Sequence, residues 1–204
     1  MKRLIIVFAM VLAGTISTEA QTTVQSQLTE ANNAYGSGNY EDARFALQQA
    51  LVELDKLIGE AILNSLPTNL SGLTADTEQD EMTGGAAGIT GVYVQRHYLG
   101  DGEQLIDLEV VTNSPIMAMV NASLTNPLLA SMSGGSQSVV KIAGYKSLVE
   151  KMDRSDGTEQ YEVKIPVNDS MILVRTEGFS QNETINIANT IDVRGIAKLV
   201  GSTQ

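Results

Sequence analysis

Residues 159–193 constrain the fold more than any other stretch, because they combine two strand patterns, a turn and a helix start. In 161–167 apolar and polar residues alternate, which is typical of a strand with one buried and one solvated face. Residues 168–170 are Asn-Asp-Ser, residue types that favour turns. The next run, 171–176, is apolar except for Arg175 and Thr176, which predicts a central strand that is buried on both faces.

A helix is predicted directly after this hairpin. Ser180 and Glu183 have the spacing of a capping box, in which the hydroxyl and the carboxylate each accept a hydrogen bond from a free backbone N–H. The apolar residues on its buried face follow at helical spacing: Ile185, Ile187, Ala188 and Ile191. A hairpin that leads into an amphipathic helix indicates a small α+β domain.

The N-terminus, residues 1–20, has the pattern of a secretory signal peptide. Lys2 and Arg3 precede an apolar stretch, 4–13, and small residues such as Ala20 suit a cleavage site. A retained anchor is the alternative, although the stretch is short for a membrane span, which needs about 20 residues. We therefore expect export to the periplasm or the extracellular space and no stable membrane span after cleavage. The chain contains no cysteine, which excludes both a lipoprotein anchor and disulfides.

Residues 21–66 are predicted to form a helical hairpin behind a polar, disordered leader at 21–27. The glycines around Ser37 interrupt the helical pattern, and the proline at 67 ends it. Small, aromatic and turn positions make this segment resemble one tetratricopeptide repeat: Ala31, Gly38, Tyr40, Ala43, Leu47 and Ala50. A single repeat cannot bury its own apolar face. The hairpin is therefore expected to pack on its own domain, on a second copy or on a protein partner.

The segment 67–91 is predicted to be an acidic, glycine-rich linker, since it has few apolar residues to bury. Its acidic residues lack the order of an EF-hand, and its glycines lack the Lys-Ser/Thr of a phosphate-binding loop. From 92 to 204 the strand and helix patterns alternate in the order β-β-α-β-β-β-β-α. Gly144 is expected to bend one strand or to join two. The predicted fold class is α+β: an N-terminal helical hairpin, then an antiparallel sheet packed with two helices.

A wider resemblance rests on residues spread over 66–199. They are Leu66-Pro67, Leu70, Gly72, Arg96 and Tyr98, Asn113-Ser114-Pro115, Asn126-Pro127, Gly144, Gly178 and Asp192. This spacing resembles an uncharacterised family of exported bacterial proteins, and the part with the sheet is similar to PsbP-like domains. The resemblance implies an antiparallel sheet backed by helices, and it implies no catalytic residue.

The chemistry available to the chain is limited. His97 is the single histidine, so a zinc site built from histidine and cysteine is not expected, and no serine lies in a nucleophile elbow. Asp107 and Glu109 lie on one face of a predicted strand, where we expect them to be solvated. The net charge of −11 makes nucleic acid a poor partner. We therefore predict a non-enzymatic protein with no catalytic residue, no metal and no cofactor.

The segment 115–132 has no charged residue and several methionines, which adapt to varied partners. It is expected to be either a core helix or a surface for a ligand or partner. The candidate residues are Met117, Met119, Leu124, Leu128, Leu129 and Met132. The predicted function is an exported protein that binds a protein partner, or is structural, in the cell envelope, with a possible homodimer through the hairpin. The alternative is a carrier of a small apolar ligand held between the sheet and this segment.

Overall fold

The structure is a computed structural model in which the chain divides into two compact units, 1–53 and 54–204. It describes residues 17–84, 91–100, 102, 104–126, 137–152 and 158–201. The fold is α+β, as predicted: two N-terminal helices are followed by an antiparallel sheet and further helices. The boundary between the units lies inside the second helix, whereas the sequence placed it after residue 66.

The predicted hairpin is formed by helices α1 (Ser17–Gly36) and α2 (Tyr40–Ser65). Gly38 has φ of +77°, a value that glycine adopts without strain, and the chain turns there. Asn39 caps α2, because its Oδ1 accepts a hydrogen bond from the backbone N–H of Asp42 at 3.5 Å.

The prediction of a disordered leader at 21–27 was wrong, because these residues belong to α1. They are polar, but they include no glycine or proline that would interrupt a helix. The predicted signal peptide falls mostly outside the described residues, which begin at Ser17, four residues before the predicted cleavage site.

The described part of the second unit contains a sheet of nine strands. They are β1 (Asn69–Leu70), β2 (Leu73–Ala75), β3 (Glu81–Gly84), β4 (Val92–Leu99), β5 (Leu105–Val111), β6 (Gln137–Ile142), β7 (Tyr145–Met152), β8 (Gln160–Val167) and β9 (Ser170–Glu177). All neighbours are antiparallel in the order β1-β2-β4-β5-β9-β8-β7-β6, and β3 pairs with β4 beside β2. The α-helices that the structure describes in this unit, besides the end of α2, are α3 (Met117–Thr125), α4 (Gln181–Thr190) and α5 (Val193–Leu199).

The hairpin predicted at 159–193 is confirmed. β8 and β9 pair so that Val167 faces Ser170 across a two-residue turn, in which Asn168 has φ of +53°. β9 lies between β5 and β8, and its residues from Met171 to Val174 are buried, as expected of a central strand. The capping box of α4 is present in both halves, with the Ser180 N–H donating to the Glu183 carboxylate at 2.8 Å.

The segment 67–91 differs from the predicted unstructured linker. Three strands and a 3₁₀ turn (Thr77–Gln79) occupy 69–84, and residues 85–90 lie outside the described part. Two of the few apolar residues there, Leu70 and Leu73, are buried in the main core, with 3% and 4% of their surfaces exposed. β2 and β3 also cover the edge of β4, which would otherwise present unpaired backbone groups.

The second difference is at Gly144, which was expected to bend one strand or join two as one element. β6 and β7 are separate strands that pair antiparallel, with Ile142 opposite Tyr145. Ala143 and Gly144 both have positive φ, at +50° and +98°, which is the geometry of the turns that match the twist of a tight hairpin.

One face of the sheet carries the main core. The end of α2, α4 and α5 contribute apolar side chains to it, and the sheet contributes alternate residues of β4, β5, β8 and β9. The opposite face is covered by α3 over part of its area, where Val120 and Leu124 pack with Leu148, Met171 and Leu173. The remainder of that face carries charged side chains, which are described below.

Arg96 is a charged residue on the core face of β4, with 6% of its surface exposed. Its Nε donates to Asp80 Oδ1 at 2.8 Å, its Nη2 donates to Oδ2, and its Nη1 donates to the backbone oxygen of Leu66 at 3.0 Å. Two residues along, the hydroxyl of Tyr98 donates to the backbone oxygen of Pro67 at 2.9 Å. The two side chains therefore fasten the end of α2 and the segment before β3 to the same strand.

A fragment of 88–204 is expected to lose cooperative unfolding, because it lacks apolar residues that complete the core. They are Ile62, Leu66, Leu70 and Leu73. A fragment of 54–204 keeps them and is expected to melt in one transition. Thermal unfolding followed by circular dichroism, with dye binding as a check for exposed core, compares the two. A cooperative melt of 88–204 would contradict the role given to the preceding residues.

Substitution of Arg96→Ala is expected to destabilise the protein by about 2–4 kcal/mol, because it leaves the partly buried Asp80 carboxylate and the Leu66 backbone oxygen without their donor. Urea unfolding measures the change. The control is Lys151→Ala, which removes an exposed pair with Glu159 and is expected to change stability hardly at all. If both substitutions lowered the free energy of unfolding equally, burial of the ion pair between Arg96 and Asp80 would not explain its contribution to stability.

Candidate functional site

The helical hairpin exposes large apolar side chains. Within the first unit the exposed residues are Leu28 at 43%, Tyr35 and Tyr40 at 68%, Phe45 at 61%, Leu47 at 47% and Leu51 at 57%. In the second unit Leu54 is 44% exposed, and Leu57 and Ile58 are half-buried. The leucines of α2 are therefore not all buried within the chain, and such exposure is what we expect of a hairpin that binds a partner.

Three of the exposed residues of the first unit share one side of α2, and we call them the α2 stripe: Tyr40, Leu47 and Leu51. Their spacings of seven and four place them in line along a helix. The next side of the helix holds Ala43, Ala46 and Ala50, which are 6%, 1% and 5% exposed. The helix thus has a buried side of small residues and, next to it, an exposed side of large ones.

A groove of about 1020 Å³ also lies in the helical unit, along α1 and the start of α2. Its lining is largely polar and includes Gln25, Glu30, Asn33 and Asp42. It is separate from the α2 stripe, none of whose residues line it.

The structure separates the residues predicted as a ligand or partner surface. Leu124 is buried against the sheet, Met117 is half-buried beside it, and Met119 is 61% exposed. The other three, Leu128, Leu129 and Met132, lie outside the described residues. The surface as a whole stays a prediction.

A groove of about 340 Å³ runs beside α3. Leu124 and Pro166 are its apolar lining, and the other lining residues are polar: Asn121, Thr125, Lys146 and Asn168. Its volume is near the lower limit for a small-molecule site. The surface that lines it is more apolar than polar, and the carrier of a small apolar ligand stays a prediction.

The charged side chains on the open part of the sheet form a continuous band, which we call the polar band. It consists of His97, Asp107, Glu109, Arg175, Glu162, Lys164, Glu150 and Gln137. Five cross-strand pairs hold it in register from β4 to β6: His97 with Asp107, Asp107 with Arg175, Arg175 with Glu162, Glu162 with Glu150, and Glu150 with Gln137.

Hydrogen bonds and ion pairs together connect the polar band, and its longest step is the ion pair between Arg175 Nη1 and Asp107 Oδ2 at 3.9 Å. His97 Nδ1 lies 2.6 Å from Asp107 Oδ1, and Arg175 donates to Glu109 at 3.2 Å and to Glu162 at 2.7 Å. Lys164 Nζ lies 3.1 Å from Glu162 and 2.6 Å from Glu150.

The expectation that Asp107 and Glu109 are solvated was therefore wrong. Each has 8% of its surface exposed, because neighbouring side chains of the band enclose it. Arg175 in an otherwise apolar central strand was the sequence signal for this arrangement, since a charge in such a strand needs partners on the adjacent strands.

The carboxyl groups of the polar band differ in the direction of their pKa shifts. Burial raises the pKa of Glu109, and Glu162 and Asp107 raise it further, so that it stays above its ordinary value despite the opposing effect of Arg175. Burial also raises the pKa of Glu150, but hydrogen bonds from Lys164 and Gln137 outweigh that effect and leave it below the ordinary value. Tyr93, on the same face, has its pKa raised to about 12 by burial and by Glu109.

The polar band lacks the parts of a hydrolytic site among the described residues. His97 Nδ1 is hydrogen-bonded to Asp107, and no described serine or threonine hydroxyl is hydrogen-bonded to His97. No group of three or more His, Asp or Glu side chains is placed to hold a metal ion in the described part of the chain. The charges of the band pair with one another.

Comparison of the chain with protein families, with curated proteins and with solved structures finds no match. The resemblances to PsbP-like domains and to a tetratricopeptide repeat therefore stay predictions. No helix within the described ranges is both long enough and apolar enough to cross a membrane.

Substitution of Glu109→Gln is expected to change how stability depends on pH. The pKa of Glu109 is raised in the folded state, so between the unfolded and folded pKa values the folded state binds more protons. Its contribution to the free energy of unfolding therefore falls as pH rises through that interval, and the variant should lack this fall. Urea unfolding at a series of pH values from acid to neutral measures it.

The matched control is Glu150→Gln, for which the sign is opposite. Because the pKa of Glu150 is lowered in the folded state, its contribution is present above the unfolded pKa and is lost as pH falls through the folded pKa. The two variants should thus depart from the unmodified protein in opposite directions on acidification. Parallel pH profiles for both variants would contradict the assignment.

Proposed function

We propose that this chain is an exported, non-enzymatic protein that binds a protein partner in the cell envelope through its helical hairpin. The observation that carries the proposal is the α2 stripe, whose three side chains are each about half exposed or more. Soluble proteins rarely leave large apolar side chains grouped on one surface unless that surface binds something. Aromatic and large aliphatic residues are also the usual anchors of protein interfaces.

Within the described part of the sheet unit, the residues of the polar band pair with one another, and most apolar side chains are buried in two cores. The α2 stripe is therefore the more prominent group of exposed large apolar side chains. The export component of the proposal rests on the pattern of residues 1–20.

The test is a photo-reactive phenylalanine analogue placed at Leu51 in cells that export the protein. We expect a discrete cross-linked product from the exported fraction, because a bound partner would lie within reach of the stripe. The matched control places the same analogue at Phe45, which is 61% exposed but lies more than about 100° around α2 from the stripe.

A third position, Met119, tests the surface beside α3, where it is 61% exposed. A product from Met119 and none from Leu51 would overturn the proposal and favour the surface predicted for the Met-rich segment. Equal products from Leu51 and Phe45 would indicate non-specific contact. Absence of the protein from the exported fraction would overturn the location.

A further inference from the structure

We infer that the partner of the α2 stripe is a second copy of this chain, and that two α2 helices pair antiparallel through it. This inference rests on the proposed function, since it assigns the partner of the same surface. It draws on three features of α2: the spacing of its exposed residues, the charges beside them and the position of Arg44.

The first feature is the spacing. Tyr40, Arg44, Leu47 and Leu51 follow one another at steps of four, three and four residues. This is the repeat by which a helix keeps one seam facing another helix. The surface that best fits such a seam is a helix with the same repeat, and a second copy supplies that helix wherever the protein accumulates.

The second feature is the charge. The chain has a net charge of −11, which opposes contact between copies over most surfaces. Of the acidic residues of α2, Glu41 and Asp42 lie about 100° or more around the helix from the centre of the stripe, and Asp55 follows Leu51 by four residues, one turn beyond the stripe. An antiparallel pair centred between Leu47 and Leu51 places Asp55 at the level of Ala43 and Arg44 of the second copy. Two stripes can therefore meet without bringing carboxylates together.

The third feature is Arg44, which is exposed and lies within the stripe. A parallel pair would place the two arginines at the same level, where like charges repel. An antiparallel pair centred between Leu47 and Leu51 places Leu47 opposite Leu51 of the second copy. It separates the two arginines by about 15 Å along the helix axis, at 1.5 Å per residue. Repulsion between the two Arg44 side chains therefore favours the antiparallel pair over the parallel one.

The size of the surface sets the strength of the pairing. A stable interface covers about 800 Å² on each partner, and three side chains cover only part of that. We therefore expect a reversible dimer with a dissociation constant in the micromolar range rather than a permanent one.

Sedimentation equilibrium of the purified mature protein tests the inference over concentrations from about 1 μM to about 1 mM, the range for weak interfaces. We expect a concentration-dependent monomer–dimer equilibrium. Leu47→Lys and Leu51→Lys should each raise the dissociation constant at least about tenfold, whereas Phe45→Lys, an equal loss of exposed apolar surface off the stripe, should leave it unchanged. A monomer at all concentrations, or equal effects of all three variants, overturns the inference.

The orientation is tested separately, because the chain contains no cysteine and introduced thiols are unambiguous. Leu47→Cys and Leu51→Cys variants of different mass are mixed and oxidised. The antiparallel pair predicts mainly the mixed disulfide, and a parallel pair predicts the two symmetric ones. A predominance of symmetric products overturns the antiparallel pair.

The cross-linking experiment separates this inference from the proposed function. A product from Leu51 at twice the mass of the chain supports both. A product of any other mass keeps the proposed function and overturns the second copy as partner. No product from Leu51 overturns both.

Discussion

The fold of the larger unit depends on one buried charge, the guanidinium of Arg96. It holds the Asp80 carboxylate and the last turn of α2 at the same time, through donors whose geometry is fixed in one plane. A helix ends with backbone oxygens that lack partners, and Arg96 satisfies one of them. The hydrogen bond to Asp80 also raises the pKa of Arg96, so its charge is constant. The end of α2 and the segment before β3 are thereby fixed to β4 without a disulfide.

The polar band on the opposite face of the sheet carries more negative than positive charge, so its carboxylates must share their cationic partners. Four carboxylates share two permanent cations, Arg175 and Lys164, and the side chains alternate in sign along most of the polar band. Each cation bridges carboxylates on its own strand or on neighbouring strands. Burial raises the pKa of Glu109, and the neighbouring carboxylates of Glu162 and Asp107 raise it further. Such a band fixes the register of six strands, since a shift by one residue would bury unpaired charges.

Much of the fold could be predicted from local patterns, and the failures have a common cause. The alternation in 161–167, the turn at Asn168 and the capping box of α4 are set by neighbouring residues, and all were confirmed. The strands in 69–84 were missed because each is two to four residues long, and because β2 and β3 are stabilised by pairing with β4, which lies outside this segment. The burial of Asp107 and Glu109 was missed for the same reason, since their partners lie on other strands. For the Met-rich segment, residue spacing alone could not decide between a core helix and a surface for a ligand or partner.

Apolar residues recur at the same helical spacing along α2, but they are buried near the end of the helix and exposed nearer its start. In the second unit Ile62 and Leu66 lie in the core, where the sheet covers them. In the first unit, at the same helical spacing, Leu47 and Leu51 are exposed, and the buried residues beside them are alanines. A hairpin held together by alanines has little apolar area to bury, so its larger residues gain more by meeting another surface than by turning inward. For this reason the exposed leucines are better explained as a binding surface than as a defect of a core.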